Sequence, residues 1–335
     1  MIFKVRYRLK EPIVNLDGNE SREMITGEML RGALVNLFLK RSCPHSSSWC
    51  NEKSCPDYSR CFVPTELLDL HSSFSFGQPE CPNCKEDRLI PIPSTWLKCK
   101  QCMRYEGKSE FIKTEIGKGG NACPTCKSVA SLKYFGGLYC LSCGNVVEDY
   151  PYTQDITNVG LNPNMRSSEA SILFNYPVII PGYTIIQYIS TENPKFESFI
   201  SAMPGQTIYI GGKRNRGFGA CEIQSIEKIE DKVKYNSNQL CFATTTFVTD
   251  ANIGGIERNE IKESNGSYSF TGHFKSSSPG QGRVSERLPV VIAGSVVKLT
   301  KDVELNLKDI LFSFRSSNED GYNSVIPLKL FNKEE

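Results

Sequence analysis

Four Cys-x-x-Cys pairs, Cys81/Cys84, Cys99/Cys102, Cys123/Cys126 and Cys140/Cys143, hold eight of the chain's 14 cysteines. Each pair offers two thiolates from one tight turn, and two such turns close a tetrahedral four-sulfur site of the kind zinc takes. CPNC followed by CKQC, then CPTC followed by CLSC, read as an internal repeat, so two zinc ribbons in series are expected, residues 81–102 and 123–143. Sequential pairing keeps each loop short and cheap to close; interleaved pairing is the alternative. A closed four-cysteine site leaves no open position for water or substrate, so the zinc is read as structural. Disulfides and an iron–sulfur cluster compete for these cysteines, but four separate Cys-x-x-Cys pairs do not follow iron–sulfur spacings. Cys43, Cys50, Cys55 and Cys61, with His45 nearby, are less regular. They are read as a third zinc site, slightly ahead of two disulfides or free thiols. Cys221 and Cys241 fall within strand patterns and read as small buried hydrophobes.

A second cluster is the turn Gly211-Gly212-Lys213-Arg214-Asn215-Arg216-Gly217-Phe218-Gly219. Glycine lets a backbone approach phosphate, Arg offers forked donors, and Phe offers a face on which a base can stack. This is RNA-binding chemistry, set against the plainer reading of an exposed turn between strands. The turn lacks the Gly-Lys-Ser/Thr ending of a phosphate-binding P-loop. Catalytic signals are sparse. Only His45, His71 and His273 are present, and no nucleophile elbow, zinc-protease motif or dinucleotide fingerprint occurs.

Several elements must position these groups. Residues 2–10 alternate, with Phe3, Val5, Tyr7 and Leu9 on one face and Lys4, Arg6, Arg8 and Lys10 on the other, the period of a half-buried strand. The basic face reads either as a solvated, edge-protecting stripe or as part of a nucleic-acid surface. ITGEMLRGALVNLFLKR places Met29, Leu30, Ala33, Leu34, Leu37 and Phe38 at helical spacing, with the helix beginning near Gly27. Periodicity lapses from Arg41 to about Asn145, which reads as an insertion held by metals. SILFNYPVII and TIIQYIS read as strands, PKFESFISAM as a short helix, and QTIYI and ACEIQSIEKI as strands, a ferredoxin-like succession. LCFATTTFV opens a second unit, also rich in strands with one helix. The fold expected is α+β: a domain over 1–230 carrying an insertion over 43–145, and a second ferredoxin-like domain over 239–335. Net charge is +2, so any nucleic-acid argument rests on local clusters. MIFKVRYRLKEP is no secretory leader, and no apolar run reaches a membrane span, so a cytoplasmic protein with no membrane partner is expected.

The opening strand, ITGEMLRGAL, GLNPNMRSSEASILFNYPVIIPG, GGKRNRGFG and LPVVIAGSVVKL together resemble the RAMP superfamily of CRISPR-associated proteins. Within it the chain looks most like the Csx-ten family of type III-D effector complexes. The resemblance spans both ends of the chain and omits mainly the cysteine-rich segment. It implies two ferredoxin-like domains, binding of the guide RNA's five-prime repeat handle, no nuclease activity, and docking beside the large polymerase-type subunit and the backbone subunits. By position it points to Arg31, Arg166 and the turn Gly211–Gly219 for RNA contact. The zinc segment is not a general superfamily feature and is expected to brace a protein interface, with RNA contact second. The competing readings are a guide-processing endoribonuclease using His45, a target-cleaving backbone subunit, and a zinc-ribbon protein of transcription or the ribosome.

Overall fold

The computed structural model describes residues 1–14, 25–42, 72–103, 105–106, 123, 125–128, 132–148, 153–161, 168–212, 217–231, 233–275, 283–315 and 321–331. Two compact units result. One comprises Met1–Pro79, Pro151–Ile229 and Ser276–Gly282; the other comprises Glu80–Tyr150, Glu230–Lys275 and Arg283–Glu335.

Strand Ile2–Leu9 is central to the first unit's sheet, flanked by Thr184–Ser190 and Ala220–Ile229, both antiparallel. Thr207–Tyr209 lies outside Ala220–Ile229, and the short strands Ser73–Phe74 and Gln78–Pro79 lie outside Thr184–Ser190. Phe3, Val5, Tyr7 and Leu9 are buried as the alternation requires. Helix Gly27–Ser42 buries Leu30, Ala33, Leu34 and Phe38. Helix Pro194–Ser201 starts where the Asn193 side chain accepts the N–H groups of Lys195 and Phe196 at 2.9 and 3.1 Å, with Pro194 in its first position. The two helices meet edge-on, Phe38 lying 5.6 Å from Phe196 and 5.1 Å from Phe199, and Phe74 of the sheet completes the cluster 6.3 Å from Phe196. Counting Ser73–Pro79 as one interrupted strand, the succession is strand, helix, strand, strand, helix, strand, and the order in the sheet is fourth, first, third, second.

Here the structure corrects the sequence reading. SILFNYPVII is not the second strand of this sheet; it lies in Ser168–Ile179, which forms a hairpin with Thr153–Leu161 and pairs on its other side with Ile13–Val14. The second strand is Ser73–Pro79, within the stretch read as insertion. It is fixed by buried polar contacts: Tyr7 donates to Gln187 Oε1 at 2.7 Å, Gln187 donates to the Ser75 carbonyl, and Ser75 Oγ accepts the Tyr188 N–H at 2.8 Å.

The second unit repeats this strand order in reduced form. Its sheet runs Ile261–Asn265, Val296–Asn306, Lys234–Phe242, Val325–Pro327, which in chain terms is second, third, first, fourth. In place of a helix, the first crossover carries three two-residue strands and a 3₁₀ turn, Arg258–Glu260; the second carries a five-residue helix, Leu307–Leu311, with Asn306 and Asp309 forming a capping box. Leu240, Phe242, Ile256, Val297, Leu299, Leu305, Phe314 and Val325 form its core. The cysteine-rich segment interrupts the first unit in the chain but groups with this second unit in space. Among the described residues, no helix is long and apolar enough to cross a membrane.

Candidate metal centres and nucleic-acid interface

The cysteine pairs close into two tetrads, but not the two expected. Cys81, Cys84, Cys140 and Cys143 form one; Cys99, Cys102, Cys123 and Cys126 form the other. The arrangement is nested instead of sequential. Its cause is an antiparallel ladder: Leu89, Ile90 and Pro91 pair with Cys140, Tyr139 and Leu138, and further along Leu97, Lys98 and Cys99 pair with Tyr134, Lys133 and Leu132. Folding the segment once on itself sets the first knuckle beside the fourth and the second beside the third.

The geometry fits a metal. In the outer tetrad Cys81 Sγ lies 3.7 Å from Cys143 Sγ, and Cys84 Sγ 3.6 Å from Cys140 Sγ. The inner tetrad gives 3.6 Å for Cys99–Cys126 and 3.7 Å for Cys102–Cys123. A tetrahedron with metal–sulfur bonds of about 2.3 Å has edges of about 3.8 Å. All ten described cysteines are free thiols, so none of these eight is in a disulfide. Each knuckle closes in the same way: the residue after the second cysteine turns left-handed and donates its N–H to the first cysteine's carbonyl. These donors are Lys85 (φ 57°, 3.0 Å), Met103 (φ 58°, 3.1 Å), Lys127 (φ 57°, 2.7 Å) and Gly144 (φ 75°, 2.9 Å). Only Gly144 takes this conformation without steric cost. Sequence reasoning missed these four donors, although the glycine after CLSC was a readable signal. Second-layer donors also reach sulfur, with Asn145 Nδ2 at 3.1 Å from Cys143 Sγ and the Gln101 N–H at 3.4 Å from Cys99 Sγ. Burial pushes the Cys143 thiol up, but the Asn145 N–H and the Cys140 and Cys81 sulfurs outweigh it and hold it down at about 7. Cys221 and Cys241, by contrast, are buried in strands, and burial pushes Cys221 up to about 12.

The outer half of the ladder is anchored to its unit. Ser94 donates its N–H to the Gly294 carbonyl at 2.7 Å and its hydroxyl to the Asn265 carbonyl at 2.9 Å. Phe331 packs 5.4 Å from Tyr139 and 6.3 Å from Trp96, and all three rings are buried. Gly294 (φ +89°) allows the approach: a Cβ there would lie 2.7 Å from the Ile92 carbonyl oxygen.

The glycine-rich turn is rooted in the first unit. Gly211 (φ +85°) packs so closely that a Cβ would come within 2.8 Å of the Val14 carbonyl oxygen and 3.2 Å of Met29 Cε. Gly212 then donates to the Val14 carbonyl at 3.1 Å, and Gly219 donates to the Pro12 carbonyl at 2.9 Å. The stem therefore leaves the sheet between Ile13–Val14 and the first turn of helix Gly27–Ser42, which carries half-buried Arg31 one turn further on. At Gly217 (φ +82°) a Cβ would meet only Glu11 Oε2, at 3.9 Å. Phe218 is half-buried and packs on Val14 and Val178 with Ile156 and Ile180, so much of its ring supports the stem. The expected contacts Lys213, Arg214, Asn215, Arg216 and Arg166, and the cysteines Cys43, Cys50, Cys55 and Cys61 with His45, lie outside the described residues.

The basic stripe on the first strand is largely compensated. Lys10 pairs with Glu222 at 2.5 Å and Arg6 with Glu227 at 3.9 Å, both glutamates lying on the neighbouring strand Ala220–Ile229. The side-chain bond from Lys10 also lowers the Glu222 carboxyl below its usual range. This stripe reads as an ion-paired sheet face.

No family model matches the chain. No curated protein matches it either. Among solved structures it is similar to a chain of the type III-B Cmr-beta complex bound to cognate target RNA, at 10% identity and TM-score 0.49, covering 88% of this chain and 86% of that one. It is also similar to a chain of the Csm3-Csm4 subcomplex of the type III-A CRISPR-Cas interference complex, at 11% identity and TM-score 0.42, covering 97% and 98%. A third likeness is to CRISPR associated protein Cas6, at 11% identity and TM-score 0.32, covering 98% of both chains.

Proposed function

We propose that this chain is a non-catalytic RNA-binding subunit of a type III CRISPR effector complex. In this reading it caps the guide RNA's five-prime repeat handle beside the large polymerase-type subunit and the backbone subunits. The finer assignment proposed is to the Csx-ten family of type III-D complexes, as a pair of ferredoxin-like RAMP domains. Each cysteine tetrad holds one structural zinc, whose role is to cross-link a segment too short to keep a core of its own.

The observation that carries the RNA-binding reading is the rooting of Gly211–Gly219. Its stem is locked to Val14 and Pro12 by backbone hydrogen bonds, and the residues between Gly212 and Gly217 are Lys213, Arg214, Asn215 and Arg216. A stem fixed by backbone hydrogen bonds, with three cations in the sequence between its two ends, offers donors for phosphate. The motif segments shared with the RAMP superfamily support the same reading, because they include this turn and this helix start.

Affinity purification of the tagged chain from its native cell tests the assignment: guide RNA and other CRISPR subunits are expected to come with it, in one copy of this chain per complex by native mass measurement. Replacing Lys213, Arg214 and Arg216 by Gln is expected to weaken RNA binding and to flatten its salt dependence by up to about 0.7 per lost phosphate contact. Specific cleavage of repeat RNA, abolished by His45→Ala, would overturn the non-catalytic role.

A further inference from the structure

The two halves of the cysteine ladder differ sharply in charge. From Lys98 to Tyr134, the inner half, there are eight Lys and Arg against three Asp and Glu, a net of +5. The whole chain nets +2, so everything outside these 37 residues nets −3. The outer half, residues 80–97 and 135–148, has two basic residues against four acidic ones. The outer half is tied into its unit by Ser94, Trp96 and Tyr139, and the inner half by the longer bond from the Tyr134 hydroxyl to Asn265 Oδ1 at 3.4 Å.

Three of the four described cations of the inner half are exposed. Lys100 follows Cys99, and Lys127 follows Cys126; those two sulfurs are 3.6 Å apart. Lys133 pairs directly across the ladder from Lys98. Like charges facing each other across strands are destabilising. Lys98 is relieved by an ion pair with Glu148 and sits 5.5 Å from the Phe135 ring, but Lys133 is exposed, as are Lys100 and Lys127. None of these three lies within ion-pair distance of a described carboxylate, in contrast to the compensated stripe on strand Ile2–Leu9. Two large side chains of the inner half are exposed: Met103 at 60%, held left-handed at the knuckle, and Tyr134 at 48%, whose hydroxyl donates to Asn265 Oδ1 at 3.4 Å and leaves much of its ring open. Clustered cations interleaved with exposed apolar and aromatic groups suit a single strand, whose phosphates take the charge and whose bases take the flat surface. An acidic protein would satisfy the lysines but gives no reason to expose Met103.

We propose that the inner-tetrad end of the ladder is a second RNA-contacting surface, in which Lys100, Lys127 and Lys133 take the phosphates of a single strand and Tyr134 and Met103 face its bases. The proposal extends the RNA-binding reading above but uses none of the residues on which that reading rests.

The test is fluorescence anisotropy of a labelled 30-nucleotide single-stranded RNA of mixed sequence, titrated with the full zinc-loaded chain across a range of KCl. The variant Lys100→Gln/Lys127→Gln/Lys133→Gln is expected to retain its full zinc content, to bind about tenfold or more weakly at 0.1 M salt, and to lose up to about 2 from the slope of log K against log salt. The matching Lys→Arg variant keeps the slope. Unchanged affinity and slope in the Gln variant overturn the proposal, as does a variant that loses binding only to polyglutamate, the probe for an acidic protein partner. The Lys213/Arg214/Arg216→Gln variant, measured alongside, separates the two readings. If only that variant weakens binding, the inner-tetrad surface falls and the glycine-rich turn stands; if only the ladder variant does, the reverse holds.

Discussion

Nested pairing can be tested by counting metal ions. Cys84→Ser/Cys140→Ser removes two ligands from one tetrad, whose sulfurs lie 3.6 Å apart, and should leave the inner site intact. One tightly held zinc per chain is expected. Sequential ribbons would lose a ligand from each site and retain none. Cys84→Ser/Cys102→Ser reverses the contrast: no tightly held zinc if the sites are nested, one if they are sequential. Loop closure alone favours the sequential arrangement, because 14 residues separate Cys84 from Cys99 and 55 separate Cys84 from Cys140. At about 0.6 kcal/mol per doubling of loop length the handicap is only about 1 kcal/mol. One or two ladder hydrogen bonds, each contributing about 1 kcal/mol net, offset it, and the ladder pairs six residues on each strand. Native mass spectrometry after gel filtration reads the count. One zinc in the Cys84/Cys102 variant together with none in the Cys84/Cys140 variant would refute the nested assignment.

Three further outcomes are expected. Gly219→Ala would place a Cβ 2.2 Å from the Ile210 carbonyl oxygen and strain a φ of +88°, whereas Gly217→Ala meets nothing closer than 3.9 Å; denaturant titration should show about 1–2 kcal/mol lost for Gly217→Ala and clearly more for Gly219→Ala, and equal losses would clear the contact of any role. Phe331→Ala, which empties a buried site beside Trp96 and Tyr139, should destabilise the second unit by about 3–5 kcal/mol and speed amide hydrogen exchange at Phe135 and Cys140. Arg315 donates to both oxygens of Glu260 at 3.0 and 3.1 Å, and this bond holds the Glu260 carboxyl below its usual range; the stability it gives is present above the unfolded value of about 4.3 and is lost as pH falls through the lowered folded value. Glu260→Gln should therefore remove part of the acid sensitivity of the second unit below about pH 4, as followed by circular dichroism.

Local features were legible in the sequence. The alternation of Phe3, Val5, Tyr7 and Leu9 marked a strand, the spacing of Leu30, Ala33, Leu34 and Phe38 marked a helix starting at Gly27, and each Cys-x-x-Cys marked a knuckle. All of these depend on residues within a turn or two of one another, where side-chain period and backbone geometry are set by the chain itself. The alternation could not show that Glu222 and Glu227 would compensate the basic stripe, because they arrive from a strand more than 200 residues away.

Tertiary structure decided the partners. The second strand of the first sheet is two pieces of two residues, Ser73–Phe74 and Gln78–Pro79, too short to carry a period, and it exists because Ile185, Ile186, Ile189 and Ser190 offer an open edge. The longer run Ser168–Ile179, which carries the stronger strand signal, pairs elsewhere. In the same way the cysteine spacing fixed four knuckles but not which would face which. That choice fell to the ladder, because loop-closure entropy changes only logarithmically with separation while each paired residue adds its hydrogen bonds directly.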